Sequence, residues 1–140
     1  KLRDDSHDFS FSGLKTSVRY FIRDNPGVLE DGQRLRDLCA SVQAAIVDVL
    51  VAKTIRAAKK LGAKCVTASG GVTCNSALRA ALGAACAREG CALRLAKLTL
   101  CTDNAAMVGM VAHLRLANGG QTTRLDAEIA PSWNLEKTKN

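Results

Sequence analysis

The sequence has few aromatic residues, no paired metal-binding cysteines and no long apolar run. Aromatic residues make up 4% of the 140 residues, so no row of rings for stacking nucleic-acid bases is evident. None of the six cysteines forms a Cys-x-x-Cys pair or has a histidine at zinc-ligand spacing, which argues against a structural zinc site. No unbroken apolar run approaches the roughly twenty residues of a membrane span. We therefore expect no membrane segment.

Composition and charge favour a soluble α/β domain with an acidic partner. Hydrophobic residues make up 47% and charged residues 24% of the chain, which is typical of a globular protein. The formal net charge of +7 favours a partner such as RNA, although a soluble basic surface explains the charge as well. No signal-peptide pattern opens the chain. The start at Lys1 and the polar residues after it indicate a piece of a longer protein.

Cysteine usage indicates a reducing, cytoplasmic location. Cys39, Cys65 and Cys86 fall on predicted apolar faces, where reduced cysteine packs as a small hydrophobic residue. Disulfides are rare in the cytosol, so we read these residues as free thiols.

Hydrophobic periodicity predicts alternating strands and helices, which indicates a layered α/β domain. The longest helix has an apolar stripe, predicted to be core, formed by Leu35, Leu38, Cys39, Val42, Ile46, Val49 and Leu50. The predicted elements are a loose lead-in at 1–8, strands at 8–12, 65–68, 92–95 and 125–129, helices at 14–24, 33–61, 75–88 and up to 116, and an irregular tail at 131–140.

A double glycine between a strand and a helix is the first candidate site. Gly70 and Gly71 follow the strand at 65–68, and Asn75 opens the next helix. Glycines let the backbone turn sharply and let a ligand approach closely, while a helix start offers unpaired N–H groups. The pattern fits a nucleotide contact. An ordinary tight turn, with Thr73 or Asn75 as a helix N-cap, explains the same residues.

A second helix start has residues suited to a phosphate. Ser12, Gly13, Lys15 and Thr16 stand at the beginning of the helix at 14–24, where an anion is favoured. An N-cap with a solvated lysine explains the same residues.

Asp103 is the candidate metal ligand. It lies between an apolar run and a helix of small residues, where a carboxylate is either a metal ligand or an N-cap. Asn75 and Asp103 are both predicted to follow a strand and to open a helix, so both should lie at the carboxyl edge of a parallel sheet. One carboxylate does not hold a catalytic metal alone. His7, in the lead-in, and His113, about 15 Å along the helix, are poor partners.

Four sequence blocks resemble the bacterial tRNA N6-adenosine threonylcarbamoyltransferase family, long labelled a glycoprotease. They occur in the family's order and spacing at residues 8–16 (D-F-S-F-S-G-L-K-T), 40–50, 69–78 (S-G-G-V-T-C-N-S-A-L) and 100–107 (L-C-T-D-N-A-A-M). The resemblance covers nearly the whole chain and corresponds to the C-terminal lobe, so residues 1–140 are predicted to form a single lobe.

The resemblance implies a fold and a reaction. The fold would be one RNase H-like lobe of the actin-like, Hsp70-type ATPase fold, with ligands in the cleft between two lobes. The reaction would move a threonylcarbamoyl group from threonylcarbamoyl-adenylate to N6 of the adenosine next to the anticodon.

The resemblance also implies site residues. Asp103 would share one iron or zinc ion with two histidines of the N-terminal lobe, Asn75 would contact the nucleotide, and Gly70 and Gly71 would form the wall beside it. No His-x-x-x-His pair is present in this chain. The N-terminal lobe would therefore be missing, and the fragment alone is expected to be inactive.

The implied partners are tRNA, threonylcarbamoyl-adenylate or another adenine nucleotide, an actin-like paralogue and a small P-loop ATPase. Two rival functions stay open. A metallo-endopeptidase, as in the old family label, would need a general base beside a metal-bound water, and no His-Glu-x-x-His occurs. A non-catalytic partner lobe would have no use for the two intact polar blocks.

Overall fold

A computed structural model describes residues 7–122, 124 and 126–128. The chain divides into two compact units, Lys1–Cys101 and Thr102–Asn140. The first contains helices α1 (Ser12–Asp24), α2 (Gly32–Lys60) and α3 (Ser76–Arg88), strands β1 (Cys65–Ala68) and β2 (Ala92–Leu95), and short 3-10 helices at Pro26–Val28, Gly71–Cys74 and Leu98–Leu100; the second contains α4 (Ala105–Ala117). The prediction of a single lobe stays a prediction.

A two-stranded parallel sheet forms the centre of the first unit. β1 and β2 pair in parallel, with Val66 opposite Leu93, and α3 makes the connection between them. Parallel strands need a crossover of this kind. The expected α/β class and the predicted elements at 65–68, 75–88 and 92–95 are therefore confirmed.

The core lies between α3 and the sheet. Leu78, Leu82 and Ala85 are buried along one side of α3, as their spacing predicts, and Val66 is buried on β1. The other buried apolar side chains of the described residues are Val28, Cys86 and Cys101.

Helix α2 has the predicted length but not the predicted burial. Asp31 caps its start by accepting hydrogen bonds from the backbone N–H groups of Gln33 and Arg34, at 2.8 and 3.1 Å. Leu35 and Cys39 are exposed, so the expected continuous core stripe is wrong. The physical reason is that α2 packs mainly against α3 and the short 3-10 helix at Pro26–Val28, which cover only part of so long a helix.

By length and composition, α2 is the one helix in the described part of the chain that is long and apolar enough to cross a bilayer. The core helix of a soluble protein passes the same test. Asp48 and Lys53 lie within α2, where charges are costly in a membrane. The expectation that no segment spans a membrane stays a prediction.

The expected strand at 8–12 is wrong. Residues 7–11 have no regular structure, and α1 begins at Ser12, with Gly13 in its first turn. Alternation over five residues is a weak strand signal, because a strand also needs a neighbour to pair with. The lead-in is tied down at Asp8, whose carbonyl oxygen accepts a hydrogen bond from the buried Lys53 ammonium group.

Two further predictions fall partly or wholly outside the described residues. Of the strand at 125–129, only 126–128 are described, and they are not in a strand. The tail at 131–140 and residues 1–6 of the lead-in are not described.

Candidate nucleotide-binding site

The double glycine forms an open turn directly after β1. Gly70 has φ +92° and ψ 166°, and a 3-10 helix begins at Gly71. The turn is closed by the Thr73 N–H, which donates to the Gly70 carbonyl oxygen at 3.0 Å. A Cβ added at either glycine would meet no atom within 4 Å. The chain therefore leaves the space beside both glycines open, as a ligand-facing wall requires.

Asn75 is the N-cap of α3, and it is also tied to α2. Its side-chain oxygen accepts from the Leu78 N–H at 2.9 Å. Its amide nitrogen donates to the Gln43 side-chain oxygen at 2.8 Å. The capping alternative raised from the sequence is thus confirmed. The cap uses the side-chain oxygen and the bond to Gln43 uses one amide hydrogen, so a second side-chain N–H is left for a ligand. The nucleotide role of Asn75 stays a prediction.

Arg79 connects the loops that follow the two strands. Its Nε donates to the Thr73 carbonyl oxygen in the glycine turn, and its Nη2 donates to the Ala96 carbonyl oxygen at 2.7 Å. Ala96 directly follows β2. Nη2 also lies 3.4 Å from the Cys101 sulfur. One guanidinium group therefore holds both loops at the carboxyl edge of the sheet.

Cys101 lies buried in this cluster, among polar neighbours that act on its thiol. The Thr73 hydroxyl oxygen lies 3.2 Å from the Cys101 sulfur and 2.7 Å from the Gly70 carbonyl oxygen. The hydrogen bond from Thr73, with the Arg79 guanidinium beside it, lowers the pKa of the Cys101 thiol, although burial opposes the shift. The cluster is polar, closed and shared between the two loops.

The cysteines are free thiols as predicted, but their predicted packing is met only in part. All six are free. Cys86 is buried as predicted, and burial raises the pKa of its thiol. Cys39 and Cys65 are exposed, so their predicted apolar packing is wrong. Cys39 lies on an exposed part of α2, and Cys65 is the exposed first residue of β1.

Asp103 belongs to the second unit and is not a helix cap. Asn104 caps α4 instead, accepting from the Met107 N–H at 3.1 Å. Asp103 is exposed and has no hydrogen bond or ion pair within the described residues. The capping alternative for Asp103 is therefore wrong, and its carboxylate is available as a hard oxygen ligand.

β2 is the strand that precedes Asp103, but it ends well before it, at Leu95, and the residues at 98–100 form a 3-10 helix. Leu98 and Leu100 are exposed. The predicted common edge with Asn75 stays a prediction.

A metal would need ligands beyond those that the described residues bring together. Among residues 7–122, 124 and 126–128, no group of three histidine, cysteine, aspartate or glutamate side chains could hold a metal ion. His113 is exposed on α4, and His7 is half-buried with neither ring nitrogen hydrogen-bonded. The donor chemistry of Asp103 fits one ligand of a shared site, not a complete one.

The helix start that was considered for a phosphate has no side-chain cap. Phe11 occupies the N-cap position of α1, so the predicted cap is wrong. Thr16 donates its hydroxyl to the Ser12 carbonyl oxygen at 3.2 Å, while Gly13 and Lys15 are exposed. A phosphate role for these residues stays untested.

Sequence reasoning missed three residues that shape the glycine turn. Arg79 lies off the apolar stripe of α3, so the hydrophobic pattern gives it no role, yet it makes the bonds described above. Thr73 was considered only as a possible cap, and Gln43 was not singled out. The one signal in the sequence is the spacing: an arginine four residues after Asn75 lies about one turn of helix along α3 from the cap.

Another concave feature lies elsewhere on the first unit. A groove of about 420 Å³ runs between α2 and α3, with a floor of small and branched apolar side chains. Its charged lining residues are Asp48, Arg88 and Glu89. None of the predicted site residues lines it.

Comparison with known proteins identifies the family. Residues 2–110 match the family model described as tRNA N6-adenosine threonylcarbamoyltransferase. Curated relatives of that name include those of Geobacter metallireducens, 48% identical over 136 residues, and Sorangium cellulosum, 49% identical over 131 residues. These matches cover 96% and 92% of this chain, but 39% and 35% of the relatives. The chain thus spans less than two fifths of their length, and it belongs to the tRNA N6-adenosine threonylcarbamoyltransferase family.

Proposed function

We propose that this chain is the C-terminal lobe of a tRNA-modifying acyltransferase. The whole protein would move a threonylcarbamoyl group from threonylcarbamoyl-adenylate to N6 of the adenosine next to the anticodon. The observation that carries the proposal is the family match over residues 2–110, which includes the glycine turn, Asn75 and Asp103. The parallel sheet with its α3 crossover is compatible with one RNase H-like lobe of an actin-like fold.

The adenine nucleotide would lie against the glycine turn. The open space beside Gly70 and Gly71 admits a flat group close to the backbone. Asn75 has one amide hydrogen left for a nucleotide acceptor, because its oxygen caps α3 and its other N–H bonds to Gln43. Its position is fixed from two sides, which reduces the entropy lost when a ligand is bound.

One divalent metal, iron or zinc, would be held partly by Asp103. The exposed carboxylate outside any cap supports this role, and the remaining ligands would come from the N-terminal lobe. When bound, the metal would supply Lewis-acid polarisation of the acyl-adenylate. Asp103 would supply its carboxylate oxygens as ligands to that metal.

The proposed partners follow from the reaction. The net charge of +7 favours approach of tRNA, since phosphate contacts dominate nucleic-acid affinity. The basic end of α2 contributes Lys60, while Lys59 is paired with Glu89 at 2.8 Å. An actin-like paralogue and a small P-loop ATPase would assist in the cytoplasm.

The test uses the full-length protein with its partner enzymes, threonine, bicarbonate, ATP and a tRNA transcript. Formation of threonylcarbamoyl-adenosine in the tRNA is the expected result. Absence of product in a preparation that is folded and metal-loaded would contradict the proposal. A preparation that cleaves a glycoprotein but modifies no tRNA would favour the endopeptidase function instead.

A further inference from the structure

Arg79 lies at the end of the first turn of α3. This side chain is half-buried, and its donors reach the Thr73 carbonyl oxygen, the Ala96 carbonyl oxygen and the Cys101 sulfur. Bonds to a guanidinium group are stronger than neutral ones. The planar fork of arginine also fixes the angle between its acceptors, which an ammonium group does not.

The acceptors lie in two segments that approach each other only at the end of the sheet. Thr73 lies in the turn after β1, and Ala96 lies directly after β2. Among the described residues, the backbone link at this end is the Ala96 N–H, which donates to the Ala68 carbonyl oxygen at 3.1 Å. Without Arg79, the Thr73 carbonyl would lose this donor, and the turn would be held to the β2 loop mainly through Cys101.

The held turn is the same one that faces the open space beside the glycines. Thr73 is in turn bonded to Gly70, because its N–H and its hydroxyl oxygen lie 3.0 and 2.7 Å from the Gly70 carbonyl oxygen. Asn75 follows within two residues, where its N–H donates to the Val72 carbonyl oxygen at 3.1 Å. Arg79 thus helps to hold the backbone that carries both proposed nucleotide contacts. None of its own described hydrogen bonds is made in the space where the ligand would lie.

We propose that Arg79 is a positioning residue that fixes the glycine turn for the adenine nucleotide. This inference rests on the proposed function of the turn. The residue would not touch the reacting atoms. Its loss would leave the turn able to sample other conformations, so that nucleotide binding would have to order it first.

The expected effect is on substrate affinity. In the full-length protein, Arg79→Met keeps an apolar chain of similar length and removes every donor. We expect the KM for threonylcarbamoyl-adenylate to rise about tenfold, the change that loss of one good hydrogen bond to a charged group supports. We expect kcat to stay within about twofold, because a positioning role of this kind changes mainly binding. Arg79→Lys, which retains charge and one reachable acceptor, should give an intermediate KM.

A second readout follows the turn directly. Hydrogen exchange of the Thr73 and Asn75 amides, both bonded within the turn, should accelerate in Arg79→Met while the α3 amides stay protected. Arg88→Met is the matched control, since it makes the same substitution on the same helix at an exposed position. The control should change neither KM nor exchange in the turn.

The outcomes separate this inference from the proposed function. If wild-type protein transfers nothing, the proposed function fails, and exchange in the turn alone decides whether Arg79 holds it. If wild type is active but both Arg79 variants keep the wild-type KM and exchange rates, the inference is wrong. A fall in kcat at unchanged KM would also overturn it. If Arg79→Met does not fold, Arg79→Lys with a wild-type melting temperature decides by the same criteria.

Discussion

The backbone at Gly70 gives the sharpest test of how the glycine turn is built. Its φ of +92° and ψ of 166° lie in a region that is essentially restricted to glycine, and other residues held there cost on the order of 1–3 kcal/mol. A Cβ at Gly70 would meet no atom within 4 Å, so the cost arises from the backbone and not from a clash. Gly70→Ala should therefore lower the free energy of unfolding by about 1–3 kcal/mol.

Gly71 should behave in the opposite way, although it is the next residue. It has no positive φ, and a Cβ there also meets no atom within 4 Å. Alanine at a compatible glycine position stabilises a protein by about 0.4–1 kcal/mol, because the unfolded chain loses freedom. Gly71→Ala should thus leave stability unchanged or slightly higher. Gly71→Val should weaken nucleotide binding by filling the proposed ligand space.

Thermal melts and calorimetric titration of nucleotide into the full-length variants separate these effects. Gly83→Ala is a control for glycine removal, since Gly83 lies inside α3 with no atom within 4 Å of an added Cβ and alanine is favoured in helices. The expected order of melting temperatures places Gly70→Ala lowest and Gly83→Ala highest. A Gly70→Ala variant that melts like wild type would refute the backbone argument. Wild-type nucleotide affinity in Gly71→Val would refute the proposal that the two glycines form a wall beside the nucleotide.

Three further outcomes follow from the structure. Asn75→Ala should lower the free energy of unfolding by about 1 kcal/mol through loss of the α3 cap and weaken nucleotide binding up to about tenfold. Gln43→Ala, which spares the cap, serves as its control. If calorimetry shows unchanged affinity in Asn75→Ala, Asn75 is a cap only. Asp103→Ala should abolish transfer to tRNA with a near wild-type melt, whereas Asn104→Ala should cost about 1 kcal/mol at α4 and retain activity; a fully active Asp103→Ala would exclude a metal role. The 140-residue chain assayed alone should form no modified adenosine, because Asp103 is one ligand where about three are needed, and product above background would contradict this.

The parts of the fold that sequence predicted well are those set by local chemistry. α3 begins after an asparagine that caps it and ends at Arg88, two residues before Gly90, whose φ is +65°. Its buried stripe has the spacing that a helix requires. β1, with its β-branched Val66 and Thr67, and β2, with Leu93 and Leu95, are short runs on either side of that helix, and such a unit pairs in parallel. Those signals lie within a few residues of the feature that they specify.

The parts that failed depend on distant neighbours. The stripe on α2 has the right spacing, but spacing does not say which elements will cover it, and Cys39 is exposed. Residues 8–12 alternate like a strand but have no described strand beside them. The choice of Asn104 over Asp103 as the cap of α4 is a shift of one residue between two side chains that cap equally well, so sequence gave no basis for it. Arg79 was missed because its acceptors lie up to 22 residues away.

The pairing of β1 with β2 has a practical consequence for handling the chain. Within the described residues the sheet has two strands, so each strand has one lateral row of backbone N–H and C=O groups without a ladder partner. Such rows are templates for intermolecular strand addition, and a sheet of this width gains little stability by itself. Fusing or co-expressing a segment that supplies a complementary strand should therefore improve solubility more than adding surface charge would.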